Sequence, residues 1–417
     1  MGTAIRIDED RLWNSLMELA RIGATPAGGV NRQALTELDG QARALFSAWC
    51  REAGCVLRTD PIGNLIARRP GRNDSQPAIM MGSHLDSQPT GGKFDGAYGV
   101  MAGLEVLRAL HAAGIETERP IEVVAWTNEE GARFAPSMMG SQVYAGLMGL
   151  DEALAVRDTE GVSVAEALAR IGAQGMADSG SRPAAYFEAH IEQGPLLEAE
   201  RKTIGVVSGG QGQCWFQMTL TGRASHAGTT PMDMRSDALV GAAAIIGALD
   251  RIGRAHPPGC ATAGRILVSP NSPNVIPDSV YLTAEIRHPD DAVRAAMELE
   301  FRAAADEAVK LNHLDLNLAK VLEQPAAPFD PACIAAIRQA AERNGYPSME
   351  IISGAAHDAV ALSRIVPTGM VFVPCAGGVS HNELESAESG DLAAGCQVLA
   401  EAVLAYARVS DPVTPSR

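Results

Sequence analysis

The sequence contains no apolar run long enough to cross a bilayer. The longest candidates, such as Ala238 to Leu249, are short and alanine-rich. Its start, "MGTAIRIDEDRLWNSL", lacks the apolar core of a secretion signal, and Gly2 is not followed by the Ser or Thr at the sixth position that acylation requires. None of the 7 cysteines forms a CxxC pair. An odd, dispersed set excludes a disulfide framework and a zinc ribbon, and reads as reduced thiols in a cytoplasm. Positive charge is also scarce: Lys and Arg number 34 against 50 Asp and Glu, a formal net charge of -16. That balance argues against nucleic acid and anionic membranes as partners. It also means that a site for an anionic ligand must carry its own positive charge. There is no internal repeat and no low-complexity segment.

A soluble globular chain of 417 residues, 46% hydrophobic, is too long for one compact core, so two domains are expected. Apolar periodicity predicts helices over 8–22, 35–53 and 100–112. "PAIMMGSH" and "IEVVAWTNEE" read as buried strands, the second running to its glutamates. Strand, helix and strand in succession indicate a parallel α/β sheet, whose ligands collect beyond the carboxyl ends of the strands. Near Gln213 the texture changes. "CWFQMTLTGRASHAG" and "VYLTAEIRHP" alternate like half-buried strands, with helical patterns over 234–253 and 291–311. The expected architecture is therefore α/β: a large domain with a mostly parallel central sheet flanked by helices, over 1–212 and 329–417, and a smaller inserted α+β domain over 213–328. The proline-rich "LEQPAAPFDP" marks the return, and "VSDPVTPSR" reads as a loose tail.

Polar clusters stand at the predicted strand ends. "GSHLDSQPTGGKFDG" places His84 and Asp95 in a glycine-rich loop. Alone, it fits an ordinary loop histidine and an Asx turn equally well. Glu129 and Glu130 follow "VVAW" directly. On extended backbone their side chains point to opposite sides, so one can bind a metal while the other faces a substrate. The plain alternative is a solvated acidic loop, which the uncharged "GARFAPSMMGSQ" downstream weakens. His190 lies in "YFEAHIEQGP", and His381 lies in "VPCAGGVSHNELE" after the strand 370–373. His84, Asp95, Glu130, His190 and His381 together make an imidazole and carboxylate set that suits zinc, manganese, cobalt or nickel. With one carboxylate able to bridge, it suits two ions. Asp86, two residues after His84, is read as the partner that orients its imidazole.

With these motifs in view, the chain resembles the dinuclear-metal amidohydrolases related to aminoacylases and bacterial carboxypeptidases. Within them it resembles the branch of N-carbamoyl-amino-acid hydrolases, β-ureidopropionases and allantoate amidohydrolases. The matching segments are "GSHLDSQPTGGKFDG", "TNEEGARF", "HIEQGP", "ASHAGTTPM", "PNVIP", "EIRH", "SGAAHDA" and "GGVSHNE", in family order over nearly the whole chain. The resemblance implies two divalent ions per subunit, zinc first. Asp95 would bridge them, with His84 and His190 on one ion and Glu130 and His381 on the other. Glu129 would be the general base. Gln193, His226, Asn274 and Arg287 fall on the substrate-binding set, with Gly354 and Ala355 offering backbone donors. Arg287 would grip a carboxylate, which provides the local positive charge required above. His226 resembles the histidine that reaches the partner subunit's site and stabilises the oxyanion, which makes the inserted domain both lid and homodimer interface. His357 and Asp358 are read as loop-shaping; His111, His256, His288 and His313 as structural or exposed.

The expected reaction is hydrolysis of an N-carbamoyl amino acid to amino acid, ammonia and carbon dioxide. "GSHLDSQPTGGKFDG" looks closest to β-ureidopropionases, which puts N-carbamoyl-β-alanine beside N-carbamoyl-L-amino acids. Allantoate, another ureido carboxylate, fits the same groups, and an aminoacylase or dipeptidase would share the chemistry with a different acyl group.

Overall fold

The computed structural model describes residues 5–176 and 180–408. It divides into two compact units, one formed by the chain up to Ser208 and from Pro328 onward, the other by Gly209–Ala327. The crossings fall a few residues before the expected 212/213 and one before the expected 328/329.

In the first unit the main elements in chain order are α1 (Glu9–Leu19), α2 (Glu37–Glu52), β1 (Val56–Thr59), β2 (Leu65–Arg69), β3 (Ile79–His84), α3 (Ala97–Ala112), β4 (Ile121–Trp126), β5 (Ala185–Ile191) and β6 (Ile204–Gly210), with short helices over Met139–Ala145, Leu150–Ala155, Val164–Arg170 and Leu196–Ala199. The second unit contributes β7 (Gly212–Thr221), α4 (Ala238–Ala255), β8 (Cys260–Ser269), β9 (Ser279–His288), α5 (Asp291–Leu311) and β10 (Asp315–Gln324). The chain then returns with α6 (Pro331–Arg343), β11 (Ser348–Ser353), β12 (Thr368–Val373) and α7 (Ser389–Ala407).

The main sheet runs β1-β2-β4-β3-β5-β12-β6, with β11 beside β6. Its centre, β4-β3-β5-β12, is parallel. The flanking pairs β1-β2, β2-β4 and β12-β6 are antiparallel. The central strands are buried at every position, as the unbroken apolar runs require when both faces are covered. One face packs Leu104 and Leu107 of α3 and Val398 and Val403 of α7; the other packs Trp126, Tyr186, Phe372 and Leu362.

Two expectations shift here. Helix α3 begins at Ala97 rather than 100, because Gly96 at φ 63° turns the chain sharply out of the preceding loop. Strand β4 stops at Trp126, four residues before Glu130. Asn128 then takes a left-handed φ of 53°, so the glutamates ride on a turn and not on extended strand.

The second unit is built on a four-stranded antiparallel sheet, β10-β7-β9-β8, with α4 and α5 on one face, beside a separate two-residue ladder. Along β9 burial alternates residue by residue. Val280, Leu282, Ala284 and Ile286 meet Phe216, Met218, Ile245, Leu249 and Phe301 in the core, which sends Arg287 to the opposite face. The expected single strand through "GRASHAG" breaks at Thr221, and His226 pairs separately with Val275. Helix α4 starts at Ala238 rather than 234, since Asp237 caps it by accepting from the backbone N–H groups of Leu239 and Val240. Among the described residues no helix is long and apolar enough to cross a membrane.

Candidate metal centre

His84 closes β3 and His190 is the penultimate residue of the parallel neighbour β5, so the sheet itself delivers two buried imidazoles side by side. Each ring is oriented by a backbone carbonyl. Nδ1 of His84 donates to the carbonyl of Asp86 at 2.9 Å, and Nδ1 of His190 to that of Ile191 at 2.8 Å. Nε2 of His190 accepts the Gly96 N–H at 3.1 Å. With Nδ1 engaged in this way, the neutral form of each ring carries its lone pair on Nε2, the tautomer that metal ligation needs.

Asp95 faces both rings. Its Oδ1 lies 3.5 Å from His84 Nε2 and 3.2 Å from His190 Nε2, while its Oδ2 lies 3.3 Å from His381 Nε2. His381 Nε2 is also 3.3 Å from Glu130 Oε2. Two donor groups result, His84–Asp95–His190 and Asp95–Glu130–His381, each with ligand atoms within 4.8 Å of one another and Asp95 common to both. The donors are imidazole and carboxylate only, and the arrangement fits divalent ions of the zinc and manganese type. Gly96 is indispensable here, because a Cβ at that position would overlap the His84 ring.

Asp86 orients the His84 ring as expected, but through its main chain. Its backbone carbonyl, not its carboxylate, holds His84; Oδ1 stays 3.9 Å from the ring nitrogen. The carboxylate instead accepts the N–H groups of Glu129 and Glu130, both at 3.2 Å. That grip splits the two glutamates. Glu129 Oε2 points to His84 Nε2 at 3.5 Å. Glu130 faces His381 and accepts from Gln88 through backbone N (3.1 Å) and Nε2 (2.8 Å).

So many buried carboxylates shift one another's protonation. Burial pushes Glu129 well above the usual carboxylate range; His84 opposes this, and Asp358 and Glu130 add to it. Burial and then Asp95 raise Glu130 to about 7. Burial also works against Asp95, yet hydrogen bonds from His190, His381 and His84 hold it well below its ordinary value. For His84 burial favours the neutral ring, but Glu129 and Asp95 outweigh it and raise the pKa. His381, beside Asp95, rises to about 9. A concentration of buried negative charge of this kind calls for compensating cations.

Several participants were not singled out in the sequence. Glu385 is buried, and its Oε1 accepts the N–H groups of Phe94 (2.8 Å) and Asp95 (3.1 Å). The Ser380 hydroxyl lies 2.9 Å from Glu385 Oε2 and 3.1 Å from Asp95 Oδ2. Glu188 accepts from Ser83 Oγ at 2.7 Å and from the Ala359 N–H at 2.9 Å, tying β3 and β5 to the helix Asp358–Leu362. Glu188 stands two residues before His190, and strand alternation puts it on the same face; that was the available signal. His357, expected only to shape its loop, packs against His190 with ring centres 4.5 Å apart and planes tilted by 56°.

Of the substrate set in this unit, Gln193 donates to Asp95 Oδ2 at 2.8 Å, directly at the centre. The Ala355 N–H is bonded to Ser353 Oγ at 3.2 Å, and a Cβ added at Gly354 would meet nothing within 4 Å. In the second unit, His226 is exposed, and its Nδ1 accepts the Gly228 N–H at 3.0 Å. In the neutral ring the proton then sits on Nε2, which makes His226 an outward donor. The Ala227 N–H donates to the carbonyl of Asn274 at 2.9 Å, so these two predicted residues share one short ladder. Arg287 is paired through Nη2 with Glu285 at 3.1 Å.

The profile of peptidase family M20/M25/M40 matches residues 80–405. An N-carbamoyl-L-amino-acid amidohydrolase of Rhizobium meliloti is 46% identical over 410 residues, covering 98% of this chain and 99% of that protein. An N-carbamoyl-L-amino acid amidohydrolase of Geobacillus stearothermophilus is 40% identical, covering 94% and 97%. Among solved structures, an amidase of the hydantoinase/carbamoylase family from Burkholderia multivorans superposes with a TM-score of 0.95 at 52% identity, covering 98% of this chain and 100% of that one.

Proposed function

The chain belongs to peptidase family M20/M25/M40, and from that premise we propose that it hydrolyses N-carbamoyl-L-amino acids to the free amino acid, ammonia and carbon dioxide. The observation that carries this reading is the division of Asp95: one oxygen toward His84 and His190, the other toward His381. The names of relatives at 46% and 40% identity favour L-α-amino acids over β-alanine as the released product.

His84 and His190 would hold one divalent ion and Glu130 and His381 a second, with Asp95 shared. Zinc is the first candidate, then manganese, cobalt or nickel. Bound there, such ions supply Lewis acidity, which lowers the pKa of the attacking water and draws charge from the urea carbonyl. Glu129 takes the proton of that water and passes it to the departing amino nitrogen. The C–N bond to the amino acid breaks, and the carbamate released splits into ammonia and carbon dioxide. His226 donates from Nε2 to the carbonyl oxygen as charge builds on it. Arg287 holds the substrate carboxylate, with Gln193, Asn274 and the segment around Gly354 and Ala355 completing the contacts. A homodimer formed through the inserted domain, with His226 serving the partner's site, completes the proposal.

The test is turnover after reconstitution with zinc, manganese, cobalt or nickel, on N-carbamoyl-L-leucine, N-carbamoyl-L-phenylalanine, N-carbamoyl-β-alanine, allantoate, N-acetyl amino acids and a dipeptide. The α-substituted carbamoyl acids are expected to lead. Faster N-acetyl or dipeptide turnover would move the protein to another branch of the family.

A further inference from the structure

One arginine in the second unit is bonded entirely to the turn that carries His226. Arg235 Nη2 donates to the carbonyls of Ala227 (2.7 Å) and Thr230 (3.0 Å), and its Nε donates again to Thr230 (3.1 Å). No ion pair to a carboxylate is found for it among the described residues. The turn it closes is small. The Thr230 N–H returns to the carbonyl of His226 at 3.2 Å, and the Gly228 N–H fixes Nδ1 of the imidazole. A planar fork that reaches two carbonyls at once sets the path of residues 227–230, and with it the position of the Gly228 N–H.

The support behind Arg235 is firm. Two residues later Asp237 caps α4, whose Ala238, Ala242, Ile245 and Leu249 are buried in the core. On the other side the Arg223 N–H donates to the carbonyl of Ser236 at 3.0 Å, and Arg223 Nη2 to that of Met234 at 3.3 Å. Arg235 is thus half-buried between an anchored helix start and an exposed turn. A guanidinium in that place is suited to transmit the rigidity of the helix to a side chain in solvent.

We propose that Arg235 is a positioning residue for His226: it holds the 227–230 turn so that the Gly228 N–H fixes the imidazole as an Nε2–H donor. This rests on the reading of His226 as the donor to the substrate's carbonyl oxygen. Preorganised donors are effective because they need no rearrangement as charge develops. An imidazole on a slack turn keeps its chemistry but loses its fixed tautomer and direction.

The test is a double-mutant cycle on N-carbamoyl-L-leucine in the metal-reconstituted enzyme, using His226→Ala, Arg235→Ala, Arg235→Lys and the pair His226→Ala/Arg235→Ala. His226→Ala is expected to lower kcat by about 10²- to 10³-fold. Arg235→Ala should lower kcat roughly tenfold with a smaller change in KM, and Arg235→Lys should recover only part, since an ammonium lacks the planar fork. In the His226→Ala background the Arg235 substitution should cost less than about twofold, because its effect passes through the imidazole. A second readout is independent of turnover. The ¹⁵N shifts of His226 should show a fixed Nε2–H tautomer in the parent and an averaged ring in Arg235→Ala. An Arg235→Ala variant with full activity and an unchanged ring overturns the proposal, as does an equal loss in both backgrounds. A fully active His226→Ala enzyme removes the oxyanion reading itself, and with it any role for Arg235 through that ring.

Discussion

In the first unit three of the five candidate ligands, His84, Asp95 and His190, are buried, while Glu130 is half-buried and His381 stands at the exposed rim. His84 and His190 are buried, each Nδ1 engaged by a carbonyl, and Asp95 is held from behind by Glu385 and Ser380. In the second unit His226 and Asn274 are exposed beside one short ladder, and Arg287, half-buried and paired with Glu285, lies on the sheet face turned away from the helices. The first set has the geometry of a resident cation site, whose donors converge before anything binds. The second has the geometry of groups that meet a ligand arriving from solvent. Parallel strands produce the first, because their ends converge at one edge of the sheet. Antiparallel alternation produces the second, because every other residue faces outward.

The sharpest way to break this contrast is at Asp95, the one residue common to both donor groups. Asp95→Ala should lower turnover by at least about 10³-fold, since both ion sites lose a ligand together. Metal analysis should show less than one ion per chain. An active variant with full metal content would dissolve the idea of a shared carboxylate. The matching change in the other unit is Arg287→Met. It should raise KM for ureido carboxylates by about 10- to 100-fold, the worth of a charge-assisted pair, and leave metal content untouched. Loss of metal in that variant would mean that the two sets are not separable.

Proton competition sharpens the comparison from another side. In the metal-free chain His381, beside Asp95, keeps its proton up to about pH 9. A cation must expel that proton, so affinity at the Asp95–Glu130–His381 group should fall about tenfold for each pH unit below 9. Below about 7 the buried Glu130 also becomes protonated, and the slope should steepen toward two protons per ion. Zinc titrations followed by calorimetry between pH 6 and 10 would read both segments. A flat profile would contradict the coupling of these groups to metal uptake.

Asp86 marks how far the sequence could be read. The strands leading to His84, Glu130, His190 and His381 were legible, because uninterrupted apolar runs stop at polar residues. The candidate ligand set followed from those stops together with the family resemblance, and the fold brings its members together. The direction of the supporting bonds was not legible. Spacing placed Asp86 near His84, but only the fold reveals that its carbonyl serves the histidine and its carboxylate the glutamates. The turn at Asn128 was hidden for a similar reason, since a left-handed asparagine leaves no periodic trace. Glu385 reaches Phe94 and Asp95 across 291 and 290 residues, a contact that no local pattern encodes. Asp86→Asn tests the division directly. It keeps the carbonyl for His84 but leaves one oxygen for two N–H donors, so turnover should fall about tenfold. Metal held by His84 and His190 should be retained. A normal rate would show that the glutamates need no such tether.

The smallest effect separates the units by stability rather than by chemistry. Asp290 caps α5 in the second unit, accepting from Ala292 at 2.7 Å and Val293 at 3.3 Å. Asp330 caps α6 in the first, accepting from Ala332 at 2.9 Å and Cys333 at 3.1 Å. Each helix buries its inner face in the core of its own unit: Met297 and Phe301 in one, Cys333 and Ile337 in the other. Replacing either aspartate by alanine should cost about 1 kcal/mol. For the smaller unit that corresponds to a fall of about 4 °C in Tm, and for the larger one to about 2 °C. If the units unfold separately, scanning calorimetry should show Asp290→Ala moving one transition and Asp330→Ala the other, with kcat at 25 °C unchanged in both. A single transition displaced equally by both variants would mean that the two cores, distinct in their packing, melt as one cooperative structure.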